Sequence, residues 1–80
     1  MVQPESIKHS IETGMVCELV HVVGDGEHFE AIIVSTAFAN QNRVQQHQLV
    51  YRALGDRMKA EIHALSMKTY TPEQWAEVSR

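Results

Sequence analysis

Two short runs rich in β-branched residues, Cys17–Val23 (C-E-L-V-H-V-V) and Phe29–Ser35 (F-E-A-I-I-V-S), stand on either side of G-D-G-E-H. That pairing constrains the chain more than any other feature. Val and Ile suit a pleated, half-buried surface. A glycine and aspartate cluster between two such runs supplies the turn of a β-hairpin with a slightly long loop. Side chains alternate along a strand, so Phe29, Ala31 and Ile33 share one face. Ile32 and Val34 lie on the other face, which therefore cannot be wholly polar. A hairpin alone is at best marginally stable in water, so the rest of the chain must cover it.

The flanking segments read mainly as helices. Pro4 suits a first helical turn, where its missing N–H is no loss. Ile7 and Ile11 are one turn apart, and Gly14 is expected to end this helix in a left-handed conformation. From Asn42 to Met58 the pattern steps by three and four: Val44, His47, Tyr51, Leu54 and Met58 form one helical face. Gly55 interrupts the run and predicts a break before a shorter helical piece. E-I-H-A-L-S-M-K, residues 61–68, reads as a third strand. Thr71, Pro72, Glu73 and Gln74 supply an N-cap, a first-turn proline, an acid at the positive helix end and a capping-box glutamine. Tyr70 and Trp75 occupy the positions of a hydrophobic staple around that cap. The order is α-β-β-α-α-β-α, a two-layer α+β sandwich with helices on one face of a three-stranded sheet.

With 80 residues, the chain is read as one domain, 1–80, with little room for a deep substrate cavity beside its core. No internal repeat, linker or low-complexity tract is present. The formal net charge is −3, whereas a dedicated binder of phosphate backbones usually has a basic excess. Cys17 is the one cysteine, so no intramolecular disulfide forms, which fits a reducing compartment. The polar N-terminus and the absence of a long apolar run predict a cytoplasmic protein with no membrane association.

Three stretches carry a resemblance: G-D-G-E-H-F-E with I-V-S, then N-R-V-x-x-H-x-x-V-Y, then I-H-A-L-S-M-K-T-Y-T-P-E-Q-W. Together they resemble the BolA family, most closely its short YrbA/IbaG-like branch, from about Ile7 to Trp75. The final strand with its capped helix is the most specific piece. The resemblance implies a class II KH-like fold and partnership with monothiol glutaredoxins. It further implies a 2Fe-2S cluster shared with the glutaredoxin and a bound glutathione, with roles in iron–sulfur trafficking, iron or redox sensing and stress response. His63 matches the family's histidine ligand, and His28 is the only candidate here for a second ligand near the hairpin loop. No cofactor is expected in the isolated protein. Iron–sulfur client proteins are implied as further partners.

An imidazole can stand in for a thiolate on one iron of such a cluster, provided that its ring is neutral. From the residues alone, His63 reads first as a half-buried, hydrogen-bonded histidine at the start of a strand, and it is the resemblance that turns it into a ligand; His28 reads equally as a plain loop histidine. His9, His21 and His47 read as structural. Cys17 has no second cysteine at zinc-site spacing and reads as a small packing residue. Asp25, Glu27 and His28 lack the nucleophile–base pair or phosphate-cradling loop that catalysis would need, so no enzyme is expected. The alternative is a nucleic-acid-binding regulator. Arg43, Arg52, Arg57, Lys59 and Lys68 could line a basic edge for DNA or RNA, yet the chain lacks the G-x-x-G loop by which KH domains clamp a strand.

Overall fold

A computed structural model describes residues 2–80. The elements are α1 (Pro4–Gly14), β1 (Leu19–Gly24), β2 (His28–Val34), a 3-10 turn at Thr36–Phe38, α2 (Arg43–Leu54), α3 (Arg57–Ala60), β3 (Ala64–Tyr70) and α4 (Pro72–Val78). The sheet order is β1-β2-β3. β1 and β2 form the antiparallel hairpin, and β3 lies parallel to β2. Parallel neighbours require a crossover, which the 3-10 turn, α2 and α3 supply. Among the described residues no helix is long and apolar enough to cross a membrane.

The core lies between the sheet and helices α1 and α2. Phe29, Ala31 and Ile33 are buried on the helix-facing side of β2, as their alternation predicts, and they meet the fully buried Ile7 and Ile11 of α1. The C-terminal helix also follows its local code. Thr71 and Gln74 form a reciprocal capping box ahead of α4, and the Tyr70 and Trp75 rings pack 5.4 Å apart.

Four expectations need correction. The buried face of α2 is Gln46, Val50 and Leu54, while Val44 and Tyr51 are exposed. Burial of Gln46 is tolerated because every part of its amide is engaged. It donates to the carbonyls of Phe38 (3.2 Å) and Gln41 (3.1 Å) and accepts from Thr69 Oγ1 at 2.6 Å. Gly14 does not take a left-handed conformation, which among the glycines only Gly26 and Gly55 adopt. Its role is close approach: a Cβ there would lie 2.7 Å from the Cα of Ala53, so α1 and α2 touch at this point.

The other two concern boundaries. β2 begins one residue early because the Asp25 carboxylate accepts the N–H groups of Glu27 and His28, both at 3.0 Å, and closes the turn against His28. β3 begins only at Ala64, since the N–H groups of Glu61 and Ile62 both return to the Arg57 carbonyl at 2.9 Å. That helical wrap holds residues 61–62 out of the sheet and puts His63 in the bend just before β3.

Candidate functional site

The hairpin loop and the approach to β3 meet at one end of the sheet. The Ala64 N–H donates to the Glu27 carbonyl at 3.2 Å, and His28 pairs in register with Ala64. His63 therefore sits beside the Gly24–Glu27 loop. It is exposed rather than half-buried, and its ring takes part in no hydrogen bond among the described residues. It lines an open depression of about 610 Å³ whose other walls include Gln3 ahead of α1, Ser6 of α1, Gly26 and Glu27 of the loop, and Arg57 and Glu61.

Arg57 organises this corner. Its Nε donates to Glu61 Oε2 at 2.6 Å, and its Nη1 donates to the Ser6 carbonyl (2.9 Å) and Ser10 Oγ (2.6 Å). One guanidinium thus ties α3 and the segment leading to His63 onto α1. The Arg57–Glu61 pair has the i,i+4 spacing of a helical ion pair. The contact to α1 spans some fifty residues and leaves no local sequence signal.

His28 begins on a different surface. It is exposed, and strand alternation places it with Glu30 and Ile32, opposite the buried Phe29. It does not line the depression that holds His63. The fold brings the two backbone positions together without directing the two rings into one cavity. Among the described residues no three or more His, Cys, Asp or Glu side chains gather as a metal site. A cluster bound here would need most of its ligands from elsewhere. An exposed, unengaged imidazole fits the supply of one ligand.

The hairpin loop is electrostatically set. The backbone N–H groups of His28 and Glu27 hold the Asp25 carboxyl below its ordinary value. Cys17 is half-buried against the core. Burial, helped by Glu18 and Glu12, pushes its thiol up to about 11, which makes it a poor nucleophile.

The basic residues do not share one edge. Arg43 and Lys68 line a depression of about 260 Å³ together with His47, whose ring titrates below its ordinary value through burial and the nearby Arg43 charge. Arg52 is nine positions along α2 from Arg43, roughly half a turn round the helix at about 100° per residue. Arg57 is turned into its contacts with α1 and Glu61. Lys59 is exposed on α3. His9 and His21 are exposed on α1 and β1.

These features define a small two-layer α+β domain that presents its candidate groups on its surface. The family model for BolA-like proteins matches residues 1–74, and the chain belongs to that family. It is 47% identical over 58 residues to the acid stress protein IbaG of Escherichia coli strain K12, covering 71% of this chain and 69% of that one. It is 42% identical over 52 residues, 65% of its length, to the DNA-binding transcriptional regulator BolA of Haemophilus influenzae, and the match spans half of that longer protein. The solved structure of a bolA protein homologue from Coxiella burnetii is 47% identical, superposes with a TM-score of 0.86 and matches over 100% of both chains.

Proposed function

We propose that this chain is a non-enzymatic adaptor of the cytoplasm that pairs with a monothiol glutaredoxin and contributes the His63 imidazole to a 2Fe-2S cluster held between the two proteins. The glutaredoxin and a bound glutathione supply thiolates, and the complex stores, passes on or senses the cluster for iron–sulfur clients. One observation carries this reading: the His63 ring is exposed in an open depression, free of hydrogen bonds among the described residues. Imidazole in place of thiolate raises the reduction potential of such a centre. The ring must be neutral to ligate, so acid weakens this contribution. The chain's own part is to hold that ring outward. Arg57 secures the segment on one side and the Ala64–Glu27 bond secures it on the other. His28 is the candidate second ligand, tested separately because its ring starts on the sheet's open face.

The test is reconstitution with a monothiol glutaredoxin, ferrous iron, sulfide and glutathione. The wild-type mixture should give a visible absorption spectrum distinct from that of the glutaredoxin homodimer, and His63→Ala should abolish the difference. A His63→Ala spectrum identical to wild type would overturn the assignment.

A second reading, a nucleic-acid-binding regulator, is favoured by the naming of the Haemophilus relative as DNA-binding and by the shared depression of Arg43 and Lys68. Two phosphate contacts give a log–log salt slope of only about −1.4 for a single strand. Sub-micromolar binding at physiological salt, lost on replacing Arg43 or Lys68, would support this role over the first.

A further inference from the structure

The edge strand β3 keeps one side unpaired, and that side is bordered by cations. The Ala64 N–H bonds the Glu27 carbonyl at one end of the β2–β3 ladder, and the Ser35 N–H bonds the Tyr70 carbonyl at the other. In a parallel ladder the backbone groups of alternate residues turn toward the same neighbour. Residues 64, 66, 68 and 70 therefore face β2, and Leu65, Met67 and Thr69 turn their N–H and C=O groups outward. No other strand lies on that side. Outside the ladder, no backbone–backbone bond among the described residues engages these three. Such an edge is a template for one more strand.

The border of this edge is selective. Along Met67–Tyr70 it opens on the depression shared with Arg43 and His47, which no carboxylate lines; Glu77 lines the adjoining depression beside Arg43, Thr69 and Tyr70 and is paired with Arg80. Neither Arg43 nor Lys68 forms a salt bridge among the described residues, whereas Arg57 and Arg80 do. Two free cations facing one groove stand out in a chain of net charge −3.

The geometry points to the outer edge of β3 as a docking strip for an extended, acidic segment of a partner protein. Its backbone adds a fourth strand beside Leu65, Met67 and Thr69, and its carboxylates meet Arg43 and Lys68. At ~3.3 Å per residue the strip begins about 7 Å from residue 63, at Leu65, and its cation Lys68 lies about 16 Å away. The contacts proposed use backbone groups of β3 and the two cations, not the His63 ring, and stand whether or not His63 ligates iron. A peptide fits better than a nucleic acid for two reasons. The outward backbone groups are alternating donors and acceptors, which another backbone matches. The chain's net negative charge opposes a polyanion while two local cations suffice for a few carboxylates.

The test uses the nitrogen-15-labelled full chain, titrated at physiological salt with a blocked octapeptide of alternating valine and glutamate. Saturable amide shifts and slowed amide exchange at Leu65, Met67 and Thr69 are expected. Arg43→Glu and Lys68→Glu, both at exposed positions whose fold the same spectra verify, should each weaken binding about tenfold. His63→Ala should bind as wild type does. The inference is overturned if no saturable shift appears up to millimolar peptide, or if shifts fall on β1 instead. Equal binding of a control octapeptide of alternating valine and lysine would overturn it too. So would tighter binding of single-stranded oligothymidylate at the same residues, which would assign the groove to nucleic acid.

Discussion

Replacing Arg57 by methionine keeps most of the aliphatic stem and removes three contacts at once. Hydrogen bonds from a charged donor contribute roughly 1.5–3 kcal/mol each when sheltered. The Arg57 side chain is 24% exposed, and the Ser6 carbonyl is a helix carbonyl with a second lone pair, so about 0.8 kcal/mol for each contact to α1 is the appropriate scale. The exposed pair with Glu61 adds about 0.4 kcal/mol. The total is about 2 kcal/mol, which lowers the melting temperature of a domain this size by roughly 8–16 °C. Thermal unfolding followed by circular dichroism measures the loss. Amide exchange at Glu61 and Ile62, whose N–H groups bond the Arg57 carbonyl, should quicken in the variant. A shift below about 2 °C with unchanged exchange there would refute the assignment of Arg57 as the clamp behind His63.

Three further outcomes are expected. Gly14→Ala forces a methyl against the Cα, Cβ and carbonyl of Ala53 and should cost about 1–3 kcal/mol in urea unfolding, with at most partial rescue by Ala53→Gly, which removes the Cβ at 2.7 Å but leaves the Cα at 2.7 Å and the carbonyl oxygen at 2.9 Å. The Cys17 thiol is raised from 9.0 to about 11: the folded state holds its proton longer, so this contribution to stability is complete below pH 9.0 and is lost as pH rises toward about 11. Thiol-reagent rates at pH 8 should accordingly rise on unfolding. The Asp25 carboxyl is lowered, so its support of the hairpin turn is present above its ordinary value of 3.8 and is lost as pH falls through the lower folded value. Asp25→Ala should speed amide exchange at Glu27 and His28, and unchanged exchange would contradict the turn's described hydrogen bonds.

Wherever short-range chemistry decides the structure, the sequence was legible. The G-D-G-E-H turn between β-branched runs, the Thr71–Gln74 capping box, and the alternation of Phe29, Ala31 and Ile33 all act within a few residues. What escaped depends on distant partners. Gln46 is buried only because Phe38, Gln41 and Thr69 converge on its amide, and no helical periodicity marks a glutamine as core. Phe38 fills the core from a 3-10 turn that a strand-to-helix connection gave no reason to expect. Gly14 carries the signal of a helix stop but serves a helix contact. At the site, His63 could be singled out by resemblance, yet its outward position follows from the Arg57 wrap that delays β3. The five basic residues looked like one edge in sequence because helix rotation, which separates Arg43 from Arg52, is invisible to composition.

The most direct measurement is the nitrogen hyperfine coupling of the reduced, reconstituted cluster, read by pulsed electron paramagnetic resonance with only this chain labelled with nitrogen-15. The account predicts a coupled nitrogen from this chain that persists in His28→Ala and disappears in His63→Ala, any second coupling being the one lost in His28→Ala. Nitrogen couplings unchanged by His63→Ala, or a cluster with no nitrogen coupling from this chain, would contradict it.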